Sequence, residues 1–230
     1  MNTISAGIRK RFLQIILTIA FQGIILFIAA SDLTWIAAWI YLILTTFLAV
    51  INTTYLIFKD PELIVERSEV KTDVKSWDKP FALVISIIGP FIYLFVAGLD
   101  YRFDLSGRMP QGIQYCSGFM VIVGYFIWGW AMAANRFFSG LVRIQKERGH
   151  TVAQGGPYRF VRHPGYVGMI LFTIAIPLFL ESFWALIPAS LTIVAVIVRT
   201  WREDCTLKEE LDGYLAYTET VTARLVPGLW

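Results

Sequence analysis

The chain has 230 residues, 57% of them hydrophobic and 16% charged, with a formal charge of +3 and a mean hydropathy of +0.61. An ordinary soluble domain is about 45–50% apolar and about 25% charged, so this composition excludes a disordered chain, a disulfide scaffold and a typical soluble globule. The small positive charge fits basic residues facing anionic headgroups, and no soluble basic domain exists to bind nucleic acid.

Six apolar runs follow in chain order: residues 12–30, 33–58 (interrupted by Thr45, Thr46, Asn52, Thr53 and Thr54), 81–99, 113–134, 165–180 and 183–198. A membrane span needs roughly 17–25 residues, so the last two sit at the lower limit. Pro177 near the end of the fifth run and Pro188 inside the sixth predict kinks. Only Glu181 and Ser182 separate these runs, which makes them a tight helical hairpin. The expected fold class is all-α: a polytopic transmembrane bundle of about six spans, or five if the hairpin is re-entrant. No linker, low-complexity tract or repeat divides the chain, so residues 1–230 are expected to form a single integral-membrane domain.

Orientation follows from the basic residues near the span ends. Arg9, Lys10 and Arg11 precede the first run. Lys59, Arg67, Lys71, Lys75 and Lys79 lie between the second and third, and Arg136, Arg143, Lys146, Arg148, Arg159 and Arg162 between the fourth and fifth. Arg199, Arg202, Lys208 and Arg224 follow the sixth. The other side has only Arg102 and Arg108, balanced by Asp100 and Asp104. Both termini are therefore expected in the cytoplasm, and in a prokaryote the membrane would be the cytoplasmic one. Ala29-Ala30-Ser31 resembles a signal-cleavage site, but the apolar stretch before it is too long for a signal peptide and another span follows at once. Cys116 and Cys205 then avoid an oxidising compartment, which argues against a disulfide. No CxxC or HxxxH spacing exists, so no structural metal is expected.

Three pieces face the cytoplasm in this topology. Loop 59–80, with Trp77-Asp78-Lys79, reads as a solvated connector with an interfacial tryptophan. Tail 199–230 places Leu207, Leu211, Tyr214, Leu215 and Val221 at near-helical spacing, an amphipathic C-terminal helix ending before Pro227 and Gly228. Loop 135–164 contains Gln145-Lys146-Glu147-Arg148-Gly149-His150-Thr151-Val152-Ala153, then Gln154-Gly155-Gly156-Pro157-Tyr158. Its glycines and proline make an irregular backbone whose N–H and C=O groups are open to a ligand, or simply an interhelical loop.

Two further stretches concentrate polar groups beside the membrane. In Tyr158-Arg159-Phe160-Val161-Arg162-His163-Pro164-Gly165-Tyr166-Val167-Gly168, Pro164 suits the first helical position. The helix N-terminus there is a natural seat for a carboxylate. Residue by residue, His163 also reads as a cap, Tyr166 as an interfacial ring and the arginines as topology markers. In Arg199-Thr200-Trp201-Arg202-Glu203-Asp204-Cys205, Arg199 and Glu203 share one helical face. They read as a surface ion pair worth about 0.3–0.5 kcal/mol, or as an anion ligand and a cofactor acceptor.

Gly156-Pro157-Tyr158-Arg159-Phe160-Val161-Arg162-His163-Pro164-Gly165-Tyr166-Val167-Gly168 resembles the signature of the isoprenylcysteine carboxyl methyltransferase family. Glu203-Asp204-Cys205-Thr206-Leu207, Gly213-Tyr214-Leu215-Ala216-Tyr217 and Arg224-Leu225-Val226-Pro227-Gly228-Leu229-Trp230 resemble its C-terminal region. The resemblance runs from about Gln145 to the end and extends to the loop from Pro61-Glu62 to Lys79. It implies a membrane enzyme using S-adenosyl-L-methionine. By the same resemblance, Gln145, His150, Thr151, Val152, Ala153, Tyr158, His163, Pro164, Gly165, Tyr166 and Glu203 are the implied cofactor contacts, and Arg199 is the residue that positions the acceptor carboxylate. Asp204 stands where many members have a second glutamate, a change that keeps the charge.

The cofactor's sulfonium, ammonium and carboxylate suit these residue types. Glu203 suits the ammonium or ribose hydroxyls, the helix N-terminus the carboxylate, and the tyrosine and histidine rings the adenine or sulfonium. A carboxylate acceptor is already ionised at neutral pH, so it needs alignment rather than a general base, with Arg199 as a bidentate partner. A lipophilic or amphiphilic acceptor is expected to enter from the membrane lipids. Three readings stay open at this stage: carboxyl O-methylation of an isoprenylcysteine-like acceptor, methylation of a phospholipid amine or small thiol, and a non-catalytic membrane protein that binds a ligand in the same pocket. In the second, His163 or Glu203 would be the base.

Overall fold

The computed structural model describes residues 2–68 and 73–230, with Asn2, Thr3 and Ser68 described by backbone alone. Lys71, one of the basic residues that orient the chain, lies outside them. All regular structure among the described residues is helical. Helix α1 (Asn2–Ala30) is followed by α2 (Ile36–Lys59), the short α3 (Pro61–Ser68) and α4 (Asp78–Leu83). A π-helical turn (Val84–Ile88) then runs into α5 (Gly89–Phe103). The chain continues through α6 (Gln111–Ala134), α7 (Pro164–Phe179), α8 (Leu186–Glu210) and α9 (Tyr214–Thr220).

Among the described residues, four helical stretches are long and apolar enough to cross a membrane: Ile4–Ala30, Ile36–Lys59, Asp78–Phe103 and Gln111–Ala134. They present a skin of exposed Leu, Ile and Phe side chains, among them Ile16, Phe21, Ile43, Phe47, Ile92 and Phe119. Such a surface is stable only in an apolar solvent. The protein is an all-α integral membrane protein.

The buried core is built from Leu26, Tyr41, Leu94, Ala97, Val121, Ile176, Leu180 and Ala189, drawn from six helices. Helices α6 and α7 touch backbone to backbone. A Cβ on Gly124 would lie 2.8 Å from the Gly168 carbonyl oxygen, and one on Gly168 would lie 2.5 Å from that of Gly124. Only glycine allows this approach. Gly129 and Gly165 are likewise filled from within the chain, by Asn52 and by the Phe138 ring.

Helix α7 has 16 residues, about 24 Å at 1.5 Å per residue, and is short of a membrane core of about 30 Å. Its junction with α8 is pinned. Ser182 Oγ donates to Asp100 Oδ2 at 2.5 Å, the Phe183 N–H donates to Ser106 Oγ at 2.9 Å, and Gln114 Nε2 donates to the Phe179 carbonyl at 3.2 Å. Asp100 closes α5 and Gln114 opens α6, so the hairpin tip lies level with the α5–α6 connection. Pro188 does not interrupt a helix as expected, because α8 begins at Leu186 and its first-turn N–H groups have no intrahelical partner to lose. Pro177 does lie inside α7.

Three other expectations change. Loop 59–80 is not a solvated connector. Leu63 and Ile64 of α3 are buried with Leu56 and Met132, and Asp78 is fully buried. The tail is not a single amphipathic helix. Helix α8 runs on to Glu210, and Gly213, at φ +80°, turns the chain into the seven-residue α9. Leu211, Tyr214, Tyr217 and Val221 pack inward, whereas Leu215 faces out. Arg199 and Glu203 do not pair with each other, because Arg199 turns to Asp78.

Candidate active site

Three buried carboxylates organise the arginine-rich end of the bundle. Asp78, at the start of α4, accepts from Arg199 Nε at 2.6 Å and Nη2 at 2.9 Å, and from the Val142 N–H at 2.7 Å. Glu66 of α3 accepts from Arg143 Nη2 at 2.7 Å. Asp204 of α8 accepts from Arg162 through Nε at 2.7 Å and Nη2 at 3.0 Å, from Arg224 Nε at 2.9 Å and from the Tyr214 hydroxyl at 3.0 Å. His163 Nε2 lies 3.3 Å from Asp204 Oδ1. Burial opposes ionisation of Asp204, but the hydrogen bonds and charges of His163 and Arg162 outweigh it and hold the carboxyl well below the usual range. Asp204 is therefore a structural hub, more than the conservative change its sequence context suggested. Three of the arginines that read as topology markers are buried clamps: Arg143, Arg162 and Arg199 are each about 5% exposed or less.

These clamps wrap a cavity of ≈ 170 Å³ between the loop after α6, the start of α7, the second half of α8 and α9. Its walls bring together His150, Thr151, Val152, Ala153, Tyr158, His163, Gly165, Tyr166, Arg199 and Glu203, all expected from the sequence. Gln145 and Pro164 do not line it. Gln145 is fully buried and braces the loop, its amide donating to the Phe137 carbonyl at 2.7 Å and accepting from Arg148 Nη1 at 2.6 Å. Pro164 starts α7 and is buried in the helix contact.

The polar groups are ordered by their neighbours. The Tyr166 hydroxyl donates to Glu203 Oε2 at 2.5 Å, and its ring lies 5.5 Å from the Arg199 guanidinium carbon. His163 stacks on Tyr166 with centroids 5.9 Å apart. His163 occupies the N-cap position of α7 but makes no side-chain cap, because its ring turns to Asp204. The N–H groups of Tyr166 and Val167 bond back to the His163 carbonyl, so Gly165 has the free N–H that this helix end offers. The backbone of residues 151–154 makes no hydrogen bond among the described residues, an open edge along the cavity wall. His150 packs on Phe137 at 4.5 Å. Burial, then the charges of Arg143 and Arg148, push its imidazole down to about 4, so it is neutral at pH 7.

The donor set matches a ligand with an ammonium or sulfonium, a carboxylate and a flat heterocycle: one carboxylate, a free backbone edge, and faces from Tyr158, Tyr166, Tyr214 and Tyr217. Arg199 fits its expected role less well. The fork expected to grip an acceptor carboxylate is closed on Asp78, and Nη2 also donates to the Gly140 carbonyl at 2.8 Å. Only Nη1 is without a partner among the described residues.

Sequence reasoning missed Asn135, Phe137, Phe138, Tyr214, Tyr217 and Arg67 as wall residues. Asn135 ends α6, holds the Phe137 N–H at 2.9 Å and donates to the Tyr158 hydroxyl at 3.3 Å. A polar residue closing an apolar run just before two phenylalanines was the available signal. Arg67 carried none, since burial of α3 depends on its packing against the other helices.

An all-helical membrane bundle with a polar, aromatic-walled cavity at its basic end is the class of protein that fold and site define. Residues 117–209 match the model of the isoprenylcysteine carboxyl methyltransferase (ICMT) family. The chain is 36% identical over 63 residues to a probable protein-S-isoprenylcysteine O-methyltransferase of Oryza sativa subsp. indica, which is 27% of this chain and 33% of that protein. It is 34% identical over 84 residues to protein-S-isoprenylcysteine O-methyltransferase A of Arabidopsis thaliana, 36% of this chain and 39% of that one. The matches span between 33% and 39% of these relatives' lengths. They support the resemblance to the ICMT family, and the matched segment contains α7, the loop before it and most of α8.

Proposed function

We propose that the protein is an S-adenosyl-L-methionine-dependent methyltransferase that acts on the carboxylate of an isoprenylcysteine-like or other amphiphilic acceptor. The observation that carries this reading is the convergence of the free 151–153 backbone, Tyr158, His163, Tyr166 and Glu203 on one cavity, inside the segment that matches the ICMT family. When bound, S-adenosyl-L-methionine supplies an electrophilic methyl group on a sulfonium. Glu203, oriented by the Tyr166 hydroxyl, receives the cofactor's ammonium or ribose hydroxyls. The 151–153 backbone meets the flat heterocycle, and the tyrosine rings exclude water from the cationic centre.

The acceptor needs no base, because its carboxylate is ionised at neutral pH. What the protein contributes is alignment. Arg199 takes part through Nη1 alone, since Asp78 occupies the rest of its fork. The cavity extends past Met169 of α7 to Ser86 of the π-helical turn, and Ser86 is exposed inside the third apolar stretch. π-Turns recur where a helix must open for function, and this one suits lateral entry of a lipid tail. Six crossings, with both termini on the cytoplasmic side, are supported by the pinned hairpin tip and by the basic residues gathered around the site. The C-terminal α9 then closes the cofactor side of the cavity.

The test is calorimetric titration of the detergent-purified protein with S-adenosyl-L-methionine, beside Glu203→Ala. Binding to the wild type and its loss in a folded variant is the expected result. A folded wild type that binds no cofactor would overturn the reading.

A further inference from the structure

Among the arginines lining the cavity, Arg67 is the exception. Arg143, Arg162 and Arg199 each meet a buried carboxylate. Arg67 meets none. Its Nε and Nη1 are buried and have no hydrogen-bond partner among the described residues, and its sequence neighbour Glu66 is taken by Arg143. Its guanidinium carbon instead lies 5.3 Å from the Phe138 ring centroid and 5.7 Å from that of Trp128. Burial, with the nearby Arg11 adding repulsion, lowers its guanidinium to about 9, so it is still cationic at neutral pH. Buried guanidinium N–H groups left without an acceptor are unfavourable, and an anionic oxygen group is the ligand that relieves them.

Position selects the kind of anion. Arg67 lines the same cavity as the polar Arg199 and Glu203 and as Met169 of α7 and Ser86 of the third apolar stretch. An anion there shares one cavity with polar groups and with residues of apolar helices. Its carrier must be amphiphilic. We propose that Arg67 is the seat of the methyl acceptor's carboxylate, supplying the cationic grip that Arg199, closed on Asp78 except for Nη1, gives only in part. The inference rests on the methyltransferase reading and deepens it. It also implies a route to release, because methylation neutralises the carboxylate and the ester loses its ion pair with Arg67.

The test uses the full chain in nanodiscs of zwitterionic lipid, without cofactor. Binding of N-acetyl-S-farnesylcysteine and of its uncharged primary amide is measured for wild type, Arg67→Met, Arg67→Gln and Arg67→Lys, and S-adenosyl-L-methionine binding is measured in parallel. The wild type should prefer the carboxylate over the amide by about tenfold or more, the size of a charge-assisted hydrogen bond. Arg67→Met and Arg67→Gln should lose that preference, with amide and cofactor binding unchanged, and Arg67→Lys should keep part of it. Should Arg67→Met not fold, Arg67→Gln and Arg67→Lys carry the comparison. Equal weakening of both probes would mark Arg67 as a packing residue and overturn the inference. So would a preference that survives the substitution, a wild type that binds neither probe, or Arg67-dependent binding of phosphatidic acid in place of the carboxylate. Loss of cofactor binding by the wild type defeats the methyltransferase reading instead, and the carboxylate preference is scored without it.

Discussion

The two ends of the bundle are both held by buried aspartates, but with different partners. At the hairpin end, among the described residues, the Asp100 carboxylate accepts only from neutral donors: the Ser106 hydroxyl at 2.5 Å, the Ser106 N–H at 2.8 Å and the Ser182 hydroxyl at 2.5 Å. At the basic end, Asp204 and Asp78 are gripped by guanidinium groups from elements far apart in sequence. Neutral donors tie a short turn and leave no space. Arginines are long and planar and carry several donors. They can span the gap between loop, helix and tail, and so frame a cavity without filling it. The charged end is the one that can hold a ligand, and it is also the end with the most to lose from a single substitution.

That contrast orders the expected effects. Asp204→Ala should be the most damaging, because it leaves Arg162 and Arg224 as uncompensated charges, a loss of about 3–5 kcal/mol. Asp100→Ala strips partners from hydroxyl and amide donors only, about 1–3 kcal/mol. Thermal unfolding of the two variants in one detergent should show the larger drop for Asp204→Ala, and the reverse order would mean that the charged network does not carry that end.

Tyr166→Phe removes the hydroxyl that orients Glu203 but leaves the ring on Arg199. Cofactor affinity should fall about tenfold, as for loss of a hydrogen bond to a charged group, with unfolding little changed. A fall in stability instead would assign Tyr166 to the scaffold.

His150 gives a pH-dependent handle. Its folded value, about 4, lies below the ordinary value of about 6.5. The folded state then binds fewer protons than the unfolded one, so stability holds above about 6.5 and declines as pH falls toward about 4. His150→Asn should flatten that part of the stability profile. An unchanged profile would show that His150 does not contribute to it.

The smallest effect belongs to the hairpin tip. Ser182→Ala removes one hydroxyl from a knot whose other donors persist, and should destabilise by about 1 kcal/mol. A loss as large as that of Asp204→Ala would move the weight of the fold to the far end.

Much of the site could be read locally. His150 to Ala153, Tyr158, His163, Tyr166, Arg199 and Glu203 line one cavity, and all lie within the two polar loops or at the helix ends that the chain sequence marks as polar beside the membrane. Gln145 and Pro164 belong to the same motifs but serve as braces, because a motif records which residues travel together and not which way each side chain turns. Arg67 and Asp78 lie in a stretch that reads as solvated, since a charged residue in a connector normally faces water. Their burial requires α3 to tuck against Leu56 and Met132, a long-range event that local spacing does not encode.

Apolar runs of spanning length are enough to dictate a helical membrane protein, because an unpaired backbone cannot persist in hydrocarbon. The basic bias, the hairpin and the polar loops follow from residue type and local spacing in the same way. The tertiary structure alone decided which carboxylate answers which arginine. It took Asp78 to Arg199, left Glu203 to Tyr166, and gave Arg67 no carboxylate partner among the described residues. Ion pairs in a buried site are chosen by geometry across the whole fold, since each desolvated charge takes whichever opposite charge the packing brings within reach.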